Sequence, residues 1–171
     1  MLRLKKIEVI PHDLMLAQEL AYNSLGLIFG QCVLERESLE YGACTFTMSS
    51  KTVKFRQAKI TPTKIGQFVT FWKRIGQGPI MPYDLNDSFD FFVVSVRTLH
   101  YFGQFIFPKS VLVYHGLVSQ GGKGGKRAMR VYPPWDTPDN AQAKKTQAWQ
   151  LRYFFEIQPN LARDQFAKLF F

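Results

Sequence analysis

The sequence predicts an α/β fold: one domain of 171 residues in which helices flank a central mixed sheet. Three observations predict it. The segment KTVKFRQAKI (51–60) alternates charged and apolar positions as a half-buried strand does, and ACTFTM (43–48) before it completes a hairpin turning at Ser49–Ser50. FDFFVVSV (89–96) is almost wholly apolar, as a strand covered on both faces is. Helical spacing recurs between such segments, and strand–helix–strand crossovers after a hairpin require a sheet with parallel and antiparallel neighbours.

In chain order, residues 1–10 read as a short strand or arm. Pro11–His12–Asp13 opens a helix with Leu14, Ala17, Ala21 and Leu25 along one side, ending at Gly26 or Gly30. An acidic segment, Glu35 to Glu40, precedes the hairpin. In its second strand Val53 and Phe55 share a face with Gln57 and Lys59, while Lys54 and Arg56 take the other. Thr61 suits an N-cap and Pro62 a first helical position, so a helix is expected from Pro62 to Arg74. Its apolar stripe would be Ile65, Phe68, Val69, Trp72 and Ile75, with Phe68 and Trp72 buried against the sheet.

The GQGPIMPYDLNDS segment is loop, and FDFFVVSV and residues 103–107 are strands. Pro108 starts a helix running to His115 and stopped by Gly116. GGKGGKR (121–127) is a flexible loop leading into the strand RAMRVYP. Asp139 or Asn140 caps a long helix lined by Ala141, Ala148, Leu151 and Phe155, and a last short helix starts at Asn160.

Charge is unevenly distributed. Net charge is +9, and residues 41–135 hold thirteen basic and three acidic side chains. Between Tyr41 and Tyr83 there are seven Lys or Arg and no Asp or Glu. Such a block suggests a polyanion-binding surface. The expected contributors are Lys54, Arg56, Lys59, Lys64, Lys73, Lys123, Lys126, Arg127 and Arg130, with Trp135 the ring available for stacking on unpaired bases. Cys32 and Cys44 cannot form a disulfide framework or a zinc site, and read as small buried residues in a reducing compartment. No apolar run is long enough to span a bilayer and no signal-peptide segment opens the chain, which points to a soluble, cytoplasmic protein.

Enzyme motifs are weak. GGKGGKR lacks the spacing and the Ser/Thr of a phosphate loop, and His12, His100 and His115 have no metal-ligand spacing. Gln57-x-Lys59 at a strand end supplies a dipolar carbonyl and an ammonium side by side, parts that can hold a metal and a phosphate oxygen.

RQAKITP, GQFVTFWKR, PIMPYDLNDSFDFF, GQFIFPK, GGKRAMRVYP and QAKKTQAWQ, in that order, resemble the MepB-like family. The resemblance is strongest over 41–155 and implies a single domain, 1–171, with a restriction-endonuclease-like, PD-(D/E)xK core. In such a core the second hairpin strand ends in a (D/E/Q)-x-K motif before a crossover helix, and Gln57-x-Lys59 stands there. The nucleases of this fold hold Mg²⁺ with an aspartate from the hairpin, and this hairpin has none. The reading is therefore a DNA- or RNA-binding protein on a degenerate nuclease scaffold, contacting the phosphate backbone and favouring single strands, with no cofactor and no metal site. The alternatives are a Mg²⁺-dependent nuclease using Glu40, Gln57 and Lys59, with Glu37 as another possible acid, or a basic protein-interaction module.

Overall fold

The computed structural model describes residues 9–159; the expected N-terminal arm (apart from its last residues) and the helix from Asn160 lie outside them. Helix α1 (His12–Ala17) begins after Pro11 and runs on through a π turn, Gln18–Tyr22, and a 3-10 turn, Asn23–Leu25. Gly26 closes it at φ 71°, a left-handed conformation in which glycine meets no Cβ clash. Leu14, Ala17, Ala21 and Leu25 are all buried, as their spacing requires.

Six strands make the main sheet: β1 (Val33–Leu34), β2 (Cys44–Met48), β3 (Lys51–Gln57), β8 (Phe91–Arg97), β9 (Phe102–Pro108) and β11 (Phe154–Glu156), adjacent in that order. The hairpin β2–β3 is antiparallel, with Cys44 opposite Phe55 and Met48 opposite Lys51. Ser49 and Ser50 turn it with φ 45° and 71°, both left-handed, as two-residue hairpin loops need. Strand β3 runs parallel to β8, and β8 antiparallel to β9, so the sheet is mixed.

The crossover from β3 to β8 departs from expectation. No helix spans 62–74. After β4 (Lys59–Ile60) the chain bends through residues 61–66 and enters β5 (Gln67–Thr70), then β6 (Lys73–Arg74) and β7 (Ile80–Met81). Strand β5 lies between β4 and β10 (Ala128–Val131) in a second, three-stranded sheet. The physical reason is local. Gly66 sits at φ 82°, and the segment after it is rich in Phe, Trp, Val and Thr, which fit a pleated surface. Gln67, Val69 and Phe71 are buried at a period of two, so strand alternation won over the helical stripe. Phe68 and Trp72 are only half-buried, not in the core where the helix would have put them.

Both faces of the main sheet are covered. On one, Val53, Phe55, Phe91, Val93 and Ile106 pack with the N-terminal helix residues. On the other, Phe92, Val94, Phe105 and Phe107 pack with Val69, Phe71, Tyr83, Met129 and Val131 from the crossover and second sheet. This is why FFVVSV carries no polar alternation. Helix α2 (Lys109–Tyr114) follows Pro108, and α3 (Ala141–Gln150) is capped by Asn140, whose Oδ1 accepts the Ala143 N–H at 2.8 Å. Both cysteines are buried, and no disulfide joins them. No helix among the described residues is long and apolar enough to cross a membrane.

Candidate nucleic-acid interface

Several of the expected surface cations are spent inside the protein. Arg56 is 0% exposed. Its Nη2 contacts Glu35 Oε2 at 2.6 Å and the Tyr83 hydroxyl at 3.0 Å, and its guanidinium lies 5.5 Å from the Phe92 ring centre. Lys54 shares the same carboxylate, at 2.9 Å. Burial pushes Glu35 up, but Arg56 and Lys54 together outweigh it and hold the carboxyl below its ordinary range. Lys73 pairs with Asp87 at 2.5 Å. A buried cation needs a carboxylate in a dry core, so Arg56 is not a surface contact and Lys54 and Lys73 are neutralised. Arg130 is tied by Nη1 to Thr61 Oγ1 and the Gly66 carbonyl, each at 3.0 Å, which clamps the bend at 61–66.

Lys64, Lys123, Lys126 and Arg127 are exposed. Trp135 is not available as a stacking ring: it is half-buried, stacked on Tyr101 at 5.1 Å and edge-on to Phe154 at 5.6 Å. The nuclease-type trio borders the 3-10 turn Leu39–Tyr41. Lys59 sits in β4 with Nζ 4.5 Å from the Tyr41 ring centre. Glu40 lies in the 3-10 turn Leu39–Tyr41, and Glu37 contacts Arg74 Nε at 2.8 Å. Gln57 packs on Gly42, where a Cβ would come within 2.6 Å of its Oε1. Among the described residues no three His, Cys, Asp or Glu are grouped to hold a metal ion.

The larger cationic feature lies elsewhere. A groove of about 960 Å³ runs between β10 and α3 and reaches the end of α2. Lys126, Arg130, Lys145 and Arg152 line it, and no Asp or Glu among the described residues does. Its walls are fixed by a buried amide: Gln150 Nε2 donates to the Arg130 carbonyl at 3.0 Å, and Gln150 Oε1 accepts the Tyr132 N–H at 2.9 Å. Gln147 Nε2 donates to the Asp136 carbonyl at 2.8 Å, anchoring the next turn of α3. One wall is aromatic. The His115 ring stacks on Trp149 at 3.9 Å with 12° between planes, and Tyr114 beside it is 85% exposed. Desolvation holds His115 below the ordinary imidazole range, so it is neutral at pH 7.

The glycine-rich loop at the groove's edge is built rather than slack. Gln120 and Lys123 exchange backbone hydrogen bonds, Gly125 N–H donates to the Gly116 carbonyl and Lys126 N–H to the Leu117 carbonyl. Gly125 has φ 85°, and a Cβ there would strike Pro82 at 2.6 Å. Asp84 holds the loop from outside: its carboxylate accepts from the Ser119 hydroxyl and from the Asn86 and Gly122 N–H groups, all of which keep its pKa low.

The sequence model described as MepB-like matches residues 35–156. The chain belongs to the MepB-like family. A solved structure described as the crystal structure of MepB is 32% identical, with a TM-score of 0.74 over 85% of this chain and 97% of that one. A bacterial homing endonuclease is also similar, at 19% identity and a TM-score of 0.44, covering 80% of this chain and 88% of that one. No curated protein matches the sequence. All the groove walls, Tyr114 to Arg152, fall within the MepB-like match.

Sequence reasoning missed Lys145, Arg152, Tyr114, His115 and Trp149. The signal was present. Between Asn140 and Phe155 the chain has three cations and no acid, but averaging over residues 136–171 dilutes this to +1.

Proposed function

We propose that this MepB-like protein binds nucleic acid by its phosphate backbone, through the groove between β10 and α3, and that single strands are its preferred form. The observation that carries this is a cavity that, among the described residues, has four cations, no carboxylate and an exposed aromatic wall. Phosphates are drawn to such a field without sequence preference. Unpaired bases can reach the rings, whereas the bases of a duplex are already stacked on one another. Lys123 and Arg127 on the loop and Lys144 on α3 extend the charge beyond the groove. Neither metal nor cofactor enters the contact.

The test is an anisotropy titration of single- and double-stranded DNA and RNA against salt. If about five phosphates are neutralised, log Kd should change with log salt at a slope of roughly 3.5 on single strands, from about 0.7 per contact. Lys126→Glu with Arg152→Glu should weaken all sequences alike. Affinity that is flat between low and moderate salt, or a charge-reversed protein that binds as well as the wild type, rejects the reading.

A further inference from the structure

A second cavity, of about 430 Å³, opens beside the groove, and its chemistry is different. Cations and carboxylates alternate around an indole: Trp72, Lys73, Arg74, Glu37, Asp87 and Ser88 are among its walls. The polar groups are held in place. Arg74 Nε binds Glu37 Oε1 at 2.8 Å, and the Arg74 guanidinium lies 5.6 Å from the Trp72 ring centre. Asp87 is fixed on both oxygens, by Lys73 Nζ at 2.5 Å and by the Asp84 N–H at 2.7 Å. A carboxylate oxygen that accepts one such bond still has a lone pair to offer.

The two cavities share no lining residue, and backbone pairing links their walls at one end of the second sheet. Phe71 N–H donates to the Arg127 carbonyl at 2.9 Å, so Trp72, in the small cavity, and Lys126, in the groove, are the next residues along the same two chains. A strand whose phosphates follow the groove towards the loop therefore passes the mouth of the small cavity.

We propose that the Trp72 cavity receives one unstacked nucleobase and favours bases with an exocyclic amino group. The inference rests on the groove reading for delivery of the strand. Its volume suits a nucleotide-sized group, within the roughly 300–1,000 Å³ of small-molecule sites. The indole face that the Arg74 guanidinium does not cover offers a stacking surface that any base can use. Selection comes from the acids. Adenine, cytosine and guanine carry exocyclic amino groups that can donate to Glu37 and Asp87, whereas thymine and uracil offer only an N3–H flanked by two carbonyls, which a carboxylate disfavours. Among the described residues the groove has no acceptor carboxylate and positions the backbone; the small cavity has both donors and acceptors and can read an edge.

The experiment uses short oligo-dA, oligo-dC and oligo-dT strands, together with the phosphate-free nucleosides adenosine and uridine. Wild-type protein should bind oligo-dA and oligo-dC more tightly than oligo-dT. Trp72→Ala should weaken the amino-bearing strands by roughly fivefold or more, as loss of a base-stacking ring does, with the salt slope unchanged. Trp72→Phe should keep most of the affinity. Equal wild-type affinity for all three strands, or a Trp72→Ala protein that binds them as the wild type does, overturns the inference. The nucleosides separate its failure from that of the groove, since they carry no phosphate. Adenosine at millimolar concentration should quench tryptophan fluorescence in the wild type and not in Trp72→Phe, even if no strand binds. A quench that persists in Trp72→Phe, or none in the wild type, overturns it too.

Discussion

The Asp84 carboxylate accepts the Ser119 hydroxyl at 2.7 Å, and the Gly122 N–H beyond it, so an acid pins the loop that carries Lys123, Lys126 and Arg127. Simple electrostatics says that removing this negative charge should strengthen phosphate binding. The geometry says the reverse. In Asp84→Asn an amide donor replaces an acceptor oxygen among hydroxyl and N–H donors, and the loop loses its anchor. Affinity for single strands should fall, and trypsin should cut faster at Lys123 and Lys126. Tighter binding with unchanged proteolysis would show that the charge, not the anchor, is what matters.

Among the described residues Glu35 is the sole carboxylate contacting buried Arg56, and Lys54 leans on it as well. Glu35→Ala leaves a guanidinium in the core without its counter-ion, a loss of roughly 3–5 kcal/mol for a broken buried pair. Replacing both members, Glu35→Gln with Arg56→Met, should cost less than Glu35→Ala alone, which equilibrium urea unfolding can measure. The pH dependence has a definite sign. The folded pKa of Glu35 lies below its unfolded value, so its contribution is complete above that unfolded value, about 4.3, and is lost as pH falls through the folded one. Glu35→Gln should flatten this acid limb; an unaltered limb would refute the assignment.

What the sequence disclosed, and what it hid, follows from the range of the interactions. The hairpin, the strand at 91–97 and the caps at Gly26, Pro108 and Asn140 are local signals, and all stand where they were expected. The stretch 62–74 satisfied two periods at once. Val69 is buried under either, but Phe71, which the helical stripe left out, is the residue in the core. Charge was legible only as charge. Arg56 meets a carboxylate 21 positions away and Lys73 one 14 away, and no pattern in the chain shows that those partners would arrive. The groove is likewise a product of tertiary packing, since β10 and α3 supply one lining cation each, with Lys126 before β10 and Arg152 after α3, and only their approach concentrates them.

The positions of Lys59, Glu40 and Glu37 bear on the nuclease alternative. A Mg²⁺ site uses one or two carboxylates together with substrate oxygens. Arg74 offsets the Glu37 charge that a metal ion would need, and the Lys59 ammonium sits over the Tyr41 ring. Mg²⁺- or Mn²⁺-dependent cleavage of single- or double-stranded substrates is accordingly expected to be absent after careful purification. Lys59→Ala should change the salt slope by no more than about 0.7, the value of one phosphate contact. Cleavage that both Lys59→Ala and Glu40→Gln abolish, while binding persists, would establish the opposite.

His115 gives the groove a pH response in which affinity and stability move in opposite directions. Its ring is stacked on Trp149, and desolvation depresses its folded pKa below the unfolded value. Between the folded pKa and about 6.5 the unfolded chain therefore binds more protons, so this residue's contribution to stability declines as pH falls through that window. A strand in the groove acts the other way. A protonated His115 adds a cation to a wall that already faces phosphates, and the polyanion in turn favours the proton. Lowering pH from 7.5 to 5.5 should thus tighten single-strand binding and steepen the salt slope by up to about 0.7, while the melting temperature of the free protein drops. The measurement is the difference between wild type and His115→Gln. The variant should lose the pH-dependent gain in affinity and part of the acid loss in stability. Identical pH profiles for the two proteins would remove His115 from the interface.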